Sequence, residues 1–132
     1  MIRGANAQFK FKLPYNYDDL NVAKIIFWQK GNSGPDATRP LPIIKNLEQC
    51  APSSDIPNEL NVILNQEETL RFSDKNKAYV QLRATSIDGS TFASKEELIT
   101  VYPLYDDSIL GDIVTPTPGD EGYSYFDGGI IE

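Results

Sequence analysis

Between Ala7 and Leu13 apolar and polar side chains alternate, with Phe9, Phe11 and Leu13 on one side and Gln8, Lys10 and Lys12 on the other. A period of two belongs to a strand with one buried face, and Pro14, which cannot donate to a ladder, ends it. Tyr15 to Leu20 is rich in turn formers and fits a single helical turn started by Asn16. Residues 22–30 give a second strand, with Ala23, Ile25 and Phe27 on its inner face and Lys24, Ile26 and Trp28 on the other. Only one apolar face is needed in a sandwich, so Ile26 and Trp28 are surplus. Either a loop or the tail covers them, or they face a partner, where tryptophan anchors are enriched.

Gly31 to Pro42 is a loop by composition, and residues 43–48 form a short strand whose preceding prolines suggest an edge. After a second proline-bearing loop, Cys50 to Pro57, the positions Leu60, Val62 and Leu64 alternate as a core strand. Asn65 then suits a helix N-cap, Glu67 and Glu68 stand where the helix dipole favours acids, and Leu70 and Phe72 can plug the corner. Ala78, Val80, Leu82 and Ala84 make the inner face of the next strand. Asp88-Gly89 is a tight-turn signal, and the return strand runs from about Thr91 to Tyr102 with a bulge or kink at Ser94 to Glu97, where alternation fails. Six or seven strands at hairpin spacing, with one helical corner, predict an all-β fold: an Ig-like antiparallel β-sandwich over residues 1–104, with an open barrel as the alternative.

Residues 105–132 read differently. A Pro/Gly stretch, Thr115 to Gly122, is flanked by Ile109, Leu110, Ile113 and Val114 before it and Tyr123, Tyr125, Phe126, Ile130 and Ile131 after it. The stretch cannot hold a helix or a central strand, yet a solvated linker has no use for so many apolar anchors. An extended C-terminal arm that docks on something is the expectation.

Charge sharpens this. All twelve Lys and Arg lie in residues 1–104 beside twelve Asp and Glu, so that segment is neutral. The other seven acids, Asp106, Asp107, Asp112, Asp120, Glu121, Asp127 and Glu132, account for the whole net charge of −7. Such an arm repels nucleic acid and favours a basic protein surface, or serves only to solubilise the chain.

The chemistry on offer is sparse. The chain has no histidine, which excludes Ser-His, Cys-His and His-metal arrangements. The lone Cys50 excludes an internal disulfide and reads as a packed or half-exposed thiol in a reducing compartment. Neighbouring carboxylates such as Glu67-Glu68 and Glu96-Glu97 diverge on a strand or helical turn, so none forms an acid/base pair. Asp106, Asp107 and Asp112 could gather a calcium ion but lack the order of a calcium loop. The scattered bases give no nucleic-acid footprint. The expectation is a non-enzymatic protein with no cofactor and no metal. No apolar run is long enough for a membrane span, and the first eight residues lack the apolar core of a signal peptide. Trp28 with Tyr15, Tyr17 or Tyr79 could instead stack on a sugar ring, which is the alternative of a glycan-binding, host-attachment module.

Several strings occur together: Arg3-Gly4 leading into Phe9-Lys-Phe-Lys-Leu-Pro14, the corner Leu64 to Phe72, Val80-Gln-Leu-Arg-Ala-Thr with Asp88-Gly89 and Ala93-Ser94, and a terminal Phe126-Asp-Gly-Gly129. In these the chain resembles small all-β structural proteins of the virions of tailed bacteriophages that infect gut bacteria. The resemblance covers most of residues 1–104 and, loosely, the ending. It implies a multi-copy subunit of tail, baseplate, connector or capsid decoration, located in the virion, with other virion proteins as partners and no functional residues to carry over. The residue pattern itself, with an apolar arm and a surplus tryptophan, makes Ile109, Ile113, Tyr125, Phe126 and Ile130 the expected anchors of the arm and Trp28 a further expected partner-binding residue.

Overall fold

The computed structural model describes residues 1–29, 42–104, 109–111, 113, 118 and 123–126. Nine strands occur among the described residues: β1 (Ala7–Lys12), β2 (Leu20–Gln29), β3 (Ile43–Asn46), β4 (Ala51–Pro52), β5 (Glu59–Leu64), β6 (Ala78–Ser86), β7 (Thr91–Ala93), β8 (Glu97–Ile99) and β9 (Tyr123–Phe126). One sheet has the order β4-β5-β1-β9; the other runs β3-β2-β6, with β7 and β8 succeeding one another along the far edge of β6. The chain crosses between sheets from β1 to β2, β3 to β4 and β5 to β6, which is the strand arrangement of an Ig-like sandwich. None of the described helices is long and apolar enough to cross a membrane.

The core is the set of inner-face positions that alternation marks. Phe9, Phe11 and Leu13 from the first sheet meet Ala23, Ile25 and Phe27 from the second, with Leu60, Val62, Leu64, Val80 and Leu82 closing the layer. Two rings meet between the sheets, Phe9 and Phe27 at 5.1 Å between centroids. The loop expected at Gly31 to Pro42 lies, but for Pro42, outside the described residues.

The corner forms as its sequence predicts. Glu68 N–H donates to Asn65 Oδ1 at 2.9 Å, and Asn65 N–H donates to Glu68 Oε1 at 3.0 Å. This reciprocal pair satisfies orphan amides at the start of α1 (Gln66–Thr69). Glu68 also reaches Lys45 Nζ at 2.7 Å, tying the corner to β3. Leu70 and Phe72 are fully buried behind it. Replacing Asn65 with Ala should lower stability by about 1 kcal/mol, read as a shift of the urea midpoint at unchanged slope.

The return strand is split rather than merely kinked. Ser94 replaces a ladder partner with its side chain: its N–H donates to Leu82 O at 2.8 Å, and Leu82 N–H donates to Ser94 Oγ at 2.9 Å. Pairing stops there and resumes at Glu97. In the preceding turn Gly89 has φ +94°, and Asp88, bonded by Ser86 and Ser90, is held below the usual carboxylate range.

One pairing departs from the antiparallel expectation. β9, from the predicted arm, lies beside β1 and runs parallel to it, with Gln8 opposite Tyr123 and Phe11 opposite Phe126. In sheet order this is the slot beside β1 where an Ig-type sandwich carries its first strand.

Candidate docking site

The site begins with what β1 requires. β5 covers one of its edges, and the other edge would leave a row of unpaired amides and carbonyls beside Phe9 and Phe11. β9 closes that edge. The Phe126 ring stacks on Phe9 at 6.0 Å and 13°, and tilts onto Phe11 at 5.4 Å and 35°. Phe126 thus extends an aromatic row that runs from Phe27 through Phe9 to the sheet margin.

The arm has a second fixed point. Gln66 Nε2 donates to Leu110 O and Leu110 N–H donates to Gln66 Oε1, both at 2.8 Å. One side-chain amide thereby holds both polar groups of an arm residue, as a neighbouring strand would. Leu110 itself remains 76 % exposed.

The outer face of the same sheet is not the solvated surface that alternation implies. Lys10, Glu59, Asn61 and Ile63 are all buried there. Lys10 Nζ stands 3.8 Å from Glu59 Oε1, which like Asn61 Oδ1 accepts no hydrogen bond. The register sets residue 125 of β9 opposite Lys10 and Asn61 of β5 on its other side.

At the head of β1, the N-terminal segment is clamped to the corner. Arg3, itself buried, donates from Nε to Phe72 O and from its guanidinium to Leu70 O. Gly4, at φ +79°, donates to Thr69 Oγ1, and a side chain on it would strike Leu104, the residue from which the arm departs. Arg3, Gln66 and the Lys10–Glu59 pair escaped sequence reasoning. Only Gly4 carried a signal, as the residue best able to take positive φ.

Of the expected anchors, Phe126 is half-buried on Phe9 and Phe11, Ile109 is half-buried, and Ile113 is 45 % exposed. Tyr125 is paired through its backbone to Lys10. Ile130 lies outside the described residues, as do Asp106, Asp107 and Asp112. Among the described residues no three acids or cysteines gather as metal ligands.

Trp28 sits elsewhere, on the outer face of the second sheet. Its ring stacks on Tyr79 at 4.9 Å and 22°. Tyr79 pairs with Leu98, which is 53 % exposed, and Ile26 pairs with Ile44, which is 46 % exposed, so an apolar stripe crosses four strands. Tyr17 lies before the opposite end of the ten-residue β2, and Tyr15 packs edge-on against Phe92, so neither shares a platform with Trp28.

Cys50 is half-buried beside the turn Leu47–Gln49, its thiol donating to Asn46 O at 3.3 Å. Burial pushes the thiol up to about 12, outweighing nearby Lys45. Reactivity follows the thiolate, so alkylation of the folded protein should be negligible at pH 8 and still slow at pH 10, and become fast in denaturant. Rapid labelling of the native protein at pH 8 would contradict this.

The chain matches no protein-family model and no curated protein.

Proposed function

We propose that this protein is a non-enzymatic structural subunit of a tailed-phage virion, and that its C-terminal arm joins it to a neighbouring subunit. One observation carries the reading: a strand at the far end of the chain completes the sheet that residues 1–104 leave open beside β1. Strand addition of this kind derives affinity from main-chain hydrogen bonds and specificity from pockets for alternate side chains. Phe126 on the Phe9–Phe11 pair is such a pocket contact. The resemblance of the Phe9 to Pro14 strand, the corner and the terminal Asp-Gly-Gly to phage virion proteins supports the setting. The neutral body with a −7 arm supports a basic protein partner rather than nucleic acid. The test is to delete residues 105–132 and quantify the protein in purified particles. The expected result is a chain that is made but absent from particles, and normal incorporation would contradict the proposal.

A further inference from the structure

We propose that the outer edge of β1 is an acceptor for residues 123–126 of a second copy of this chain, so that copies link by exchanging their C-terminal strands. This rests on the assembly reading above and names the partner: the same protein.

Three observations carry it. First, the edge is complementary to β9 in register and in side chain, with Gln8 to Phe11 pairing Tyr123 to Phe126 and Phe126 lodged on Phe9 and Phe11. An identical strand from another copy reproduces every one of these contacts. The choice between own and foreign strand therefore depends on tether and concentration rather than on new chemistry.

Second, the tether is long. Leu110 is held on Gln66 of α1, just past the Leu64 that pairs with Ala7 at the start of β1, whereas β9 begins opposite Gln8. Residues 111–122, twelve in number (122 − 110), separate that anchor from β9. An extended chain of that length reaches about 40 Å, well beyond what return to its own β1 demands. That reach allows residues 123–126 to meet their own β1 or the β1 of an adjacent copy.

Third, β9 is the one strand among those described that runs parallel to its neighbour. It enters as an added strand at an edge and not as part of the antiparallel meander. Removing it interrupts no other pairing, because β9 has a single partner.

The experiment uses the full chain with Cys50→Ser to remove the native thiol. Gln8→Cys is placed in one preparation and Tyr123→Cys in another carrying a size tag. These two positions face each other in register, and neighbouring strands lie about 4.8 Å apart, within disulfide reach. The preparations are mixed up to millimolar concentration, the scale at which a second copy competes with a strand on the same chain, and oxidised mildly. The expected product is a Gln8→Cys/Tyr123→Cys heterodimer whose yield rises with concentration. It should be at least tenfold more abundant than one formed with Leu98→Cys, an exposed position on the other sheet. Light scattering on the unmodified protein should show a mass above that of one chain over the same range.

Two results overturn the proposal: no heterodimer above the Leu98→Cys background while a chain bearing both cysteines closes on itself, or a mass of one chain at every concentration. The assembly reading is judged separately by the particle test. Loss of incorporation without the heterodimer leaves the arm docking on a different protein, and the heterodimer with normal incorporation removes the assembly role.

Discussion

Replacing Phe9 with Ala is expected to cost about 3–5 kcal/mol, a large share of the 5–15 kcal/mol typical of a domain. Phe9 is almost fully buried, and its ring is the joint of the structure. On one side it meets Phe27 of the opposite sheet, and on the other it supports Phe126. The substitution opens a cavity between the sheets and removes the floor on which β9 rests. Urea unfolding should show the loss directly, and β9 amides should exchange faster than the global loss of stability requires. A cost below about 0.5 kcal/mol, the scale of an ordinary surface change, would mean that the two sheets do not meet through this ring.

The second large effect concerns Lys10. It and Glu59 are both buried, 3.8 Å apart, on the face of β1 and β5 that alternation marks as outer. Taking two charges out of water is costly, and removing one partner strands the other. Lys10→Met alone should therefore destabilise by about 3 kcal/mol. Adding Glu59→Leu should restore most of that loss, because an apolar pair of similar volume needs no compensation. Glu59 Oε1 accepts no hydrogen bond, so the Glu59→Leu change gives up none at that oxygen. If the double variant is as unstable as the single one, the charges are not the source of the effect.

Inner faces were legible from sequence because burial on one side of a strand leaves a period of two: Phe9, Phe11, Leu60, Val62, Val80 and Leu82 all stand where alternation puts them. The corner was legible because capping is local, with Asn65 and Glu68 three residues apart. The break at Ser94 showed as lost alternation, although its cause, a hydroxyl substituting for a ladder group, did not. What sequence could not give is pairing between distant segments. Nothing within Tyr123 to Phe126 states that it joins β1, or that it runs parallel, because the partner lies at the other end of the chain. The burial of Lys10 was hidden for a related reason. Alternation tells which face of a sheet a residue occupies, and not whether something lies over that face. At the candidate site, apolar residues beyond a Pro/Gly stretch marked Phe126 as a residue with something to pack on, but not that Phe9 and Phe11 lie beneath it. The amide clamp of Gln66 on Leu110 was not legible, since a glutamine beside an N-cap has no such signature.

The account rests on β9 as the element that joins subunits, and the most direct test removes its ladder while keeping the arm's length and charge. Adjacent N–H groups on a strand point to opposite edges, so Ser124→Pro together with Tyr125→Pro deletes a donor toward β1 whichever residue supplies it. Wild-type and doubly substituted proteins, produced together and distinguished by mass, would be counted in purified particles. The account predicts that the substituted chain stays folded but falls at least tenfold below wild type in the particles. Equal incorporation of the two would contradict it.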